Sequence, residues 1–121
     1  MKKWISLAER AAAEALAALP EEVRQRAERL PVTCMARPTA AMHRDGVDPD
    51  LLGLFVGEAL GESGSSGLDL PAQIILFTEN LAEYSDFDET IFFEEARRTY
   101  LHELGHYLGW DESDLSARDL D

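Results

Sequence analysis

A single long helical pattern runs from about Asp88 to Leu108, carries His102-Glu103-Leu104-Gly105-His106 near its end and stops at Gly109. A helix of that length reaches about 30 Å, so the rest of a 121-residue chain has to be built against it. Asp86 and Asp88 precede the pattern, and glycine is the residue that most readily leaves a helix in the left-handed conformation. Leu101, Leu104 and Leu108 form a stripe suited to a core, while Arg98, His102 and His106 form a polar one.

The histidines carry chemistry because of their spacing. Residues four apart lie about 40° apart around a helix and one turn along it, so two imidazoles converge on one tetrahedral ion. Glu103 lies about 60° round from His106, too far to replace a histidine ligand and near enough to reach a water on the metal. Zinc acidifies such a water towards neutrality, and a neighbouring carboxylate takes and returns its proton. Catalytic sites keep three protein ligands and one open position. His102 to Glu112 resembles the H-E-x-x-H-x-x-G-x-x-H motif of metzincins, with Glu112 where the last histidine stands. Glu112 is therefore the expected third ligand, Asp111 the alternative, and Asp114 and Asp119 more distant candidates. Two neutral imidazoles and one carboxylate leave zinc formally at +1, which makes the base Glu103 more important. Nitrogen and oxygen donors suit zinc or another borderline metal.

Charge and cysteine content exclude other classes. Lys and Arg number 11 against 24 Asp and Glu, a net charge of −13, and the basic residues are scattered. Nucleic-acid backbones are repelled by such a surface, and no nucleic-acid partner is expected. One cysteine, Cys34, excludes an internal disulfide framework and a four-cysteine metal site. No apolar run approaches the roughly 20 residues of a membrane span. Met1-Lys2-Lys3 is followed too soon by Ser6, Glu9, Arg10 and Glu14 for a secretory signal. A cytoplasmic protein is expected, with no membrane association.

Before the long helix the pattern is mixed. Ser6-Leu7-Ala8-Glu9 has capping-box spacing, predicting a helix from there to about Leu19 with Leu7, Ala11, Ala15 and Ala18 on its apolar face. Pro20 interrupts it, and Glu21-Glu22 open a second helical stretch to about Leu30. Val32–Ala36, Leu51–Gly57 and Ile74–Phe77 read as strands. Thr39–Asp50 has no periodicity and carries the turn pairs Asp45-Gly46 and Asp48-Pro49; Gly61–Gly67 reads as a flexible loop. Ser113 to Leu120 allows one or two last helical turns. The length fits one domain over residues 1–121, with an N-terminal helical region over 1–30 and the histidine-bearing helix over 88–108. An α+β fold is expected, with a small mixed sheet packed on helices.

Leu51–Gly57, Leu70–Phe77 and the segment from Arg98 through His102-Glu103-Leu104-Gly105-His106-Tyr107-Leu108-Gly109 together resemble the small bacterial zincin-like metallopeptidases. The resemblance covers most of the chain from Leu51 onward. It implies a minimal zincin-like fold, zinc held by His102 and His106, Glu103 as catalytic acid-base, an acidic residue at Glu112, and a peptide or protein substrate. Phe55-Val56 stands where an aromatic residue and an acid are expected. The family also implies an edge strand above the metal to which an extended peptide adds, here Ile74–Phe77 or Leu52–Val56, with Gly61–Gly67 either at the cleft mouth or a mere connector.

Three functions remain open at this point. One is zinc-dependent hydrolysis of peptide bonds; another is a metal-binding structural or regulatory module without activity, suggested by the small size. The third is hydrolysis of another bond such as an RNA phosphodiester, opposed by the missing third histidine and the charge. Tyr84, Tyr100 and Tyr107 each offer a hydroxyl to a tetrahedral intermediate, and His43 is a weaker candidate. Arg98 is placed to orient a ligand. Cys34 is expected to be a buried small hydrophobe, and Trp110 to pack under the metal turn. The oligomeric state is not legible.

Overall fold

A computed structural model describes residues 2–57 and 71–110. Their order is α1 (Lys2–Ala17), α2 (Glu21–Ala27), β1 (Val32–Met35), α3 (Ala40–Arg44), β2 (Gly53–Val56), β3 (Gln73–Phe77), α4 (Thr78–Tyr84) and α5 (Glu89–Tyr107). The three strands form one mixed sheet in the order β1-β3-β2. β1 runs parallel to β3, pairing Val32 with Ile74, and β2 runs antiparallel to it, pairing Gly53 with Leu76. The α+β architecture expected for a zincin-like fold is present.

β3 is the axis of the core. Paired on both edges and covered on both faces, it needs apolar residues at every position, as Ile74-Ile75-Leu76-Phe77 supplies. Ile74 and Leu76 pack with α1, α4 and α5, whereas Ile75 and Phe77 pack with Met42 of α3 and Val56 of β2. α1 lies along α5 through Ala8, Ala11, Ala12 and Ala15, whose small side chains let Phe92, Ala96 and Tyr100 fill the space between.

Several boundaries differ from the sequence expectation. α1 begins at Lys2, so Ser6-Leu7-Ala8-Glu9 lies inside the helix rather than capping it. Trp4 explains the extra turn, since its ring packs 4.8 Å from Phe92 and 6.1 Å from Phe87 and draws the first turn onto α5. Ala18 is exposed, and Ala8 and Ala12 take its place on the buried face. α2 ends at Ala27, short of Leu30. α3 occupies part of the stretch read as turns; the Thr39 hydroxyl accepts from the Met42 N–H at 3.1 Å and caps it. α4 had no sequence prediction. The turn from α4 to α5 passes through Asp86 and Phe87, both at positive φ (53° and 58°). Among the described residues, no helix is long and apolar enough to cross a membrane.

Candidate metal centre

α5 ends as its sequence predicts, and the ending fixes the histidines. Asp88 caps its start, its carboxylate accepting from the Ile91 N–H at 3.0 Å. At the other end Gly109, at φ +81°, donates to the His106 carbonyl at 3.1 Å, and Trp110 donates to the Gly105 carbonyl at 2.9 Å. These are the paired bonds of a Schellman ending. They satisfy two of the last carbonyls and turn the chain sharply within three residues of His106. The anchors on the core side are Tyr100 and Leu104, each 1% exposed.

On the opposite side His102 and His106 project half-buried side chains. Their Nε2 atoms are 3.2 Å apart and the ring planes are crossed at 78°. Two nitrogens bound to one tetrahedral zinc at its usual bond length are separated by about 3.3–3.4 Å. The donor pair therefore already has the spacing a zinc ion requires. Glu103 completes the group, with one ligand atom from each of the three residues lying within 4.8 Å of the others.

The sheet reaches this helix through β2, an edge strand among the described residues. The Phe77 N–H donates to the Leu52 carbonyl, so the alternation along a strand turns the backbone groups of Gly53 and Phe55 away from β3. The Phe55 N–H donates to Glu103 Oε1 at 3.0 Å. Such an approach demands a residue without a side chain at Gly53: a Cβ there would stand 2.4 Å from Thr99 Cγ2 and 3.6 Å from Glu103 Cγ. The Phe55 ring then packs edge-on against Tyr107, with centroids 5.7 Å apart. Of the two strands considered from the sequence for the edge position, Ile74–Phe77 is excluded because β3 is central; β2 is the edge strand.

A groove of about 270 Å³ lies between β2 and α5, bordered by Leu51, Leu52 and Gly53 on one side and by Glu95, Arg98, Thr99, His102 and Glu103 on the other. A larger hollow of about 360 Å³ between α1 and the start of α5 is fringed by Glu14, Glu89 and Glu94 and touches none of the three candidate residues. His102 and Glu103 border the smaller groove.

Other sequence candidates separate clearly. Tyr100 is buried against the α1 side of α5, where desolvation pushes its phenol up to about 12. Tyr84 is 65% exposed on α4, and Tyr107 packs against Phe55, whose N–H binds Glu103. His43 is exposed on α3. Cys34 is half-buried on β1, and burial, then the nearby Glu9 carboxylate, push its thiol up to about 11. Glu112, Asp111, Asp114 and Asp119, together with Gly61–Gly67, lie outside the described residues. The contact of Glu103 with β2 had no place in the sequence reading. Gly53 inside an apolar run was its one signal.

β2's entry is held by a polar cluster. Asn80, 4% exposed, donates its amide to the carbonyls of Pro49 (2.8 Å) and Leu51 (2.9 Å). Arg37 binds the Asn80 side-chain oxygen at 2.7 Å, Glu79 at 3.0 Å, and Glu83. Its guanidinium is held still further above its usual range by those two carboxylates.

No curated protein sequence matches the chain. A family model described as zincin-like metallopeptidase matches residues 27–121, a stretch that takes in β1 to β3, α3 to α5 and the turn at Gly109. On a match of that extent, with the paired histidines on α5 facing an edge strand, the chain belongs to the zincin-like metallopeptidase family.

Proposed function

We propose that the protein is a zinc-dependent peptidase in which His102 and His106 hold the ion, a carboxylate from the segment after Gly109 completes the ligand set, and Glu103 is the general base. Glu112 is the preferred third ligand and Asp111 the alternative. Residues 1–121 act in this reading as one catalytic domain. The observation that carries it is the imidazole pair, preset at 3.2 Å beside a carboxylate anchored to the sheet edge.

Zinc bound there supplies Lewis acidity and makes water nucleophilic near neutral pH. The chain's own residues do the rest. α5 holds both Nε2 atoms at ligand spacing, so little rearrangement is needed on binding. The Phe55 N–H fixes Oε1 of Glu103, which sets the plane of the carboxylate. A base held in this way takes a proton from water and returns it to the leaving amine. Among the described residues the outer edge of β2 offers the Gly53 backbone groups and the Phe55 carbonyl to an extended peptide, whose added strand would lie along the groove.

The test is Glu103→Gln. It keeps the shape and the hydrogen bond from Phe55 while removing the base, so bound zinc should remain stoichiometric and peptide turnover should fall by at least about 100-fold. An unchanged rate contradicts the assignment.

A further inference from the structure

The groove beside the histidines contains a cation that the catalytic reading does not use. Arg98 is exposed one helical turn before His102 and borders the same hollow. Among the described residues that border it, Arg98 is the only Lys or Arg. Among the described residues it makes no salt bridge, so its guanidinium is available to a ligand in the groove. Glu95 borders the groove as well, one turn further back, and does not pair with Arg98.

The direction of β2 relates this charge to a bound peptide. Gly53 lies over Thr99 and Glu103, and Phe55 over Glu103 and Tyr107, so β2 and α5 advance together. A peptide paired to the β2 edge therefore runs along α5. Arg98 lies four residues, about 6 Å, before His102 on the helix axis. An extended peptide covers that distance in about two residues.

We propose that Arg98 is a specificity-determining residue that receives a substrate carboxylate about two residues from the bond to be cleaved. This rests on the peptidase reading of the same site. The carboxylate belongs either to an Asp or Glu side chain or to the peptide's C-terminus. The guanidinium fork matches both equally. Glu95 opposes it from one turn away and limits the affinity.

The test uses the zinc-loaded full chain and short peptides of otherwise neutral sequence. These carry Asp, Glu or their amides at each position, with free or amidated ends. Binding is measured by fluorescence anisotropy in the Glu103→Gln background, and KM and kcat are measured with the active base. The expected result is a preference of about tenfold or more for peptides with the carboxylate, carried in KM and weakened by salt. Arg98→Ala should abolish that preference, Glu95→Gln should increase it, and Arg97→Ala, about 140° round the helix from His102, should leave it intact. Loss of the preference on end-amidation assigns it to a C-terminus; loss on Asp-to-Asn or Glu-to-Gln exchange assigns it to a side chain.

Equal binding of acidic and neutral peptides, or no peptide binding, overturns the proposal. So does a preference that survives Arg98→Ala. Acidic peptides that bind through Arg98 without being cleaved by the active protein would uphold its recognition of a carboxylate and refute the peptidase reading. Cleavage without the preference would do the reverse.

Discussion

The Phe55 backbone N–H donates to Glu103 Oε1 across 3.0 Å, joining β2 to the residue that follows His102 on α5. The bond depends on the closeness of β2 to α5, and hence on Gly53. Gly53→Ala places a methyl 2.4 Å from Thr99 Cγ2. Overpacking of this kind costs about 1–3 kcal/mol, and stability should fall by that much in chemical denaturation. Thr99→Ser removes the opposing methyl, so the double variant should recover a measurable part of the loss. Additive losses would place the strain elsewhere.

The polar cluster behind β2 leads to a second expectation. Asn80→Ala leaves the carbonyls of Pro49 and Leu51 without their donor, at a cost of about 1–3 kcal/mol. Arg37→Ala removes ion pairs to exposed carboxylates and the donor to one buried acceptor, the Asn80 side-chain oxygen, against the two carbonyls that Asn80→Ala strips, so it should cost less. Urea denaturation of both variants checks the order, and the reverse order contradicts this account of how β2 is held.

Alkaline pH provides a third. Folding raises Tyr100 from 10 to about 12 and Cys34 from 9 to about 11. Both groups lose their proton more easily in the unfolded chain. Their stabilising effect is complete below about pH 9 and is lost as pH rises through 11 and 12. The melting temperature should therefore decline above pH 9. Tyr100→Phe should flatten the part of that decline above pH 10, and an unaltered slope would contradict burial of the phenol.

Zinc affinity should fall on acidification, because imidazole ligands must be deprotonated to bind. His102→Ala and His106→Ala should each weaken zinc by more than the roughly 10–100-fold that loss of an outer partner costs. Competition with a chelating dye between neutral and acid pH measures both effects.

Much of this was legible in the sequence, because strong local signals agreed with tertiary packing. Asp88 and Gly109 delimit α5, and the Ile74–Phe77 run is apolar throughout because β3 is covered on both faces. The His102–His106 spacing follows from helix geometry alone. Where long-range contacts decide, the local pattern misleads. Ser6 lies mid-helix because Trp4 packs on Phe92, and α4 carries buried Thr78 and Asn80 because Asn80 has carbonyl partners about thirty residues away in sequence. The tie between Glu103 and Phe55 spans 48 residues, and no local rule anticipates it.

The most direct measurement is elemental analysis of the purified chain after zinc loading and removal of excess metal, beside His102→Ala and His106→Ala treated identically. The account predicts one tightly held zinc per wild-type chain and a large loss in each variant. No retained zinc in the wild type, or equal retention in all three, would contradict it.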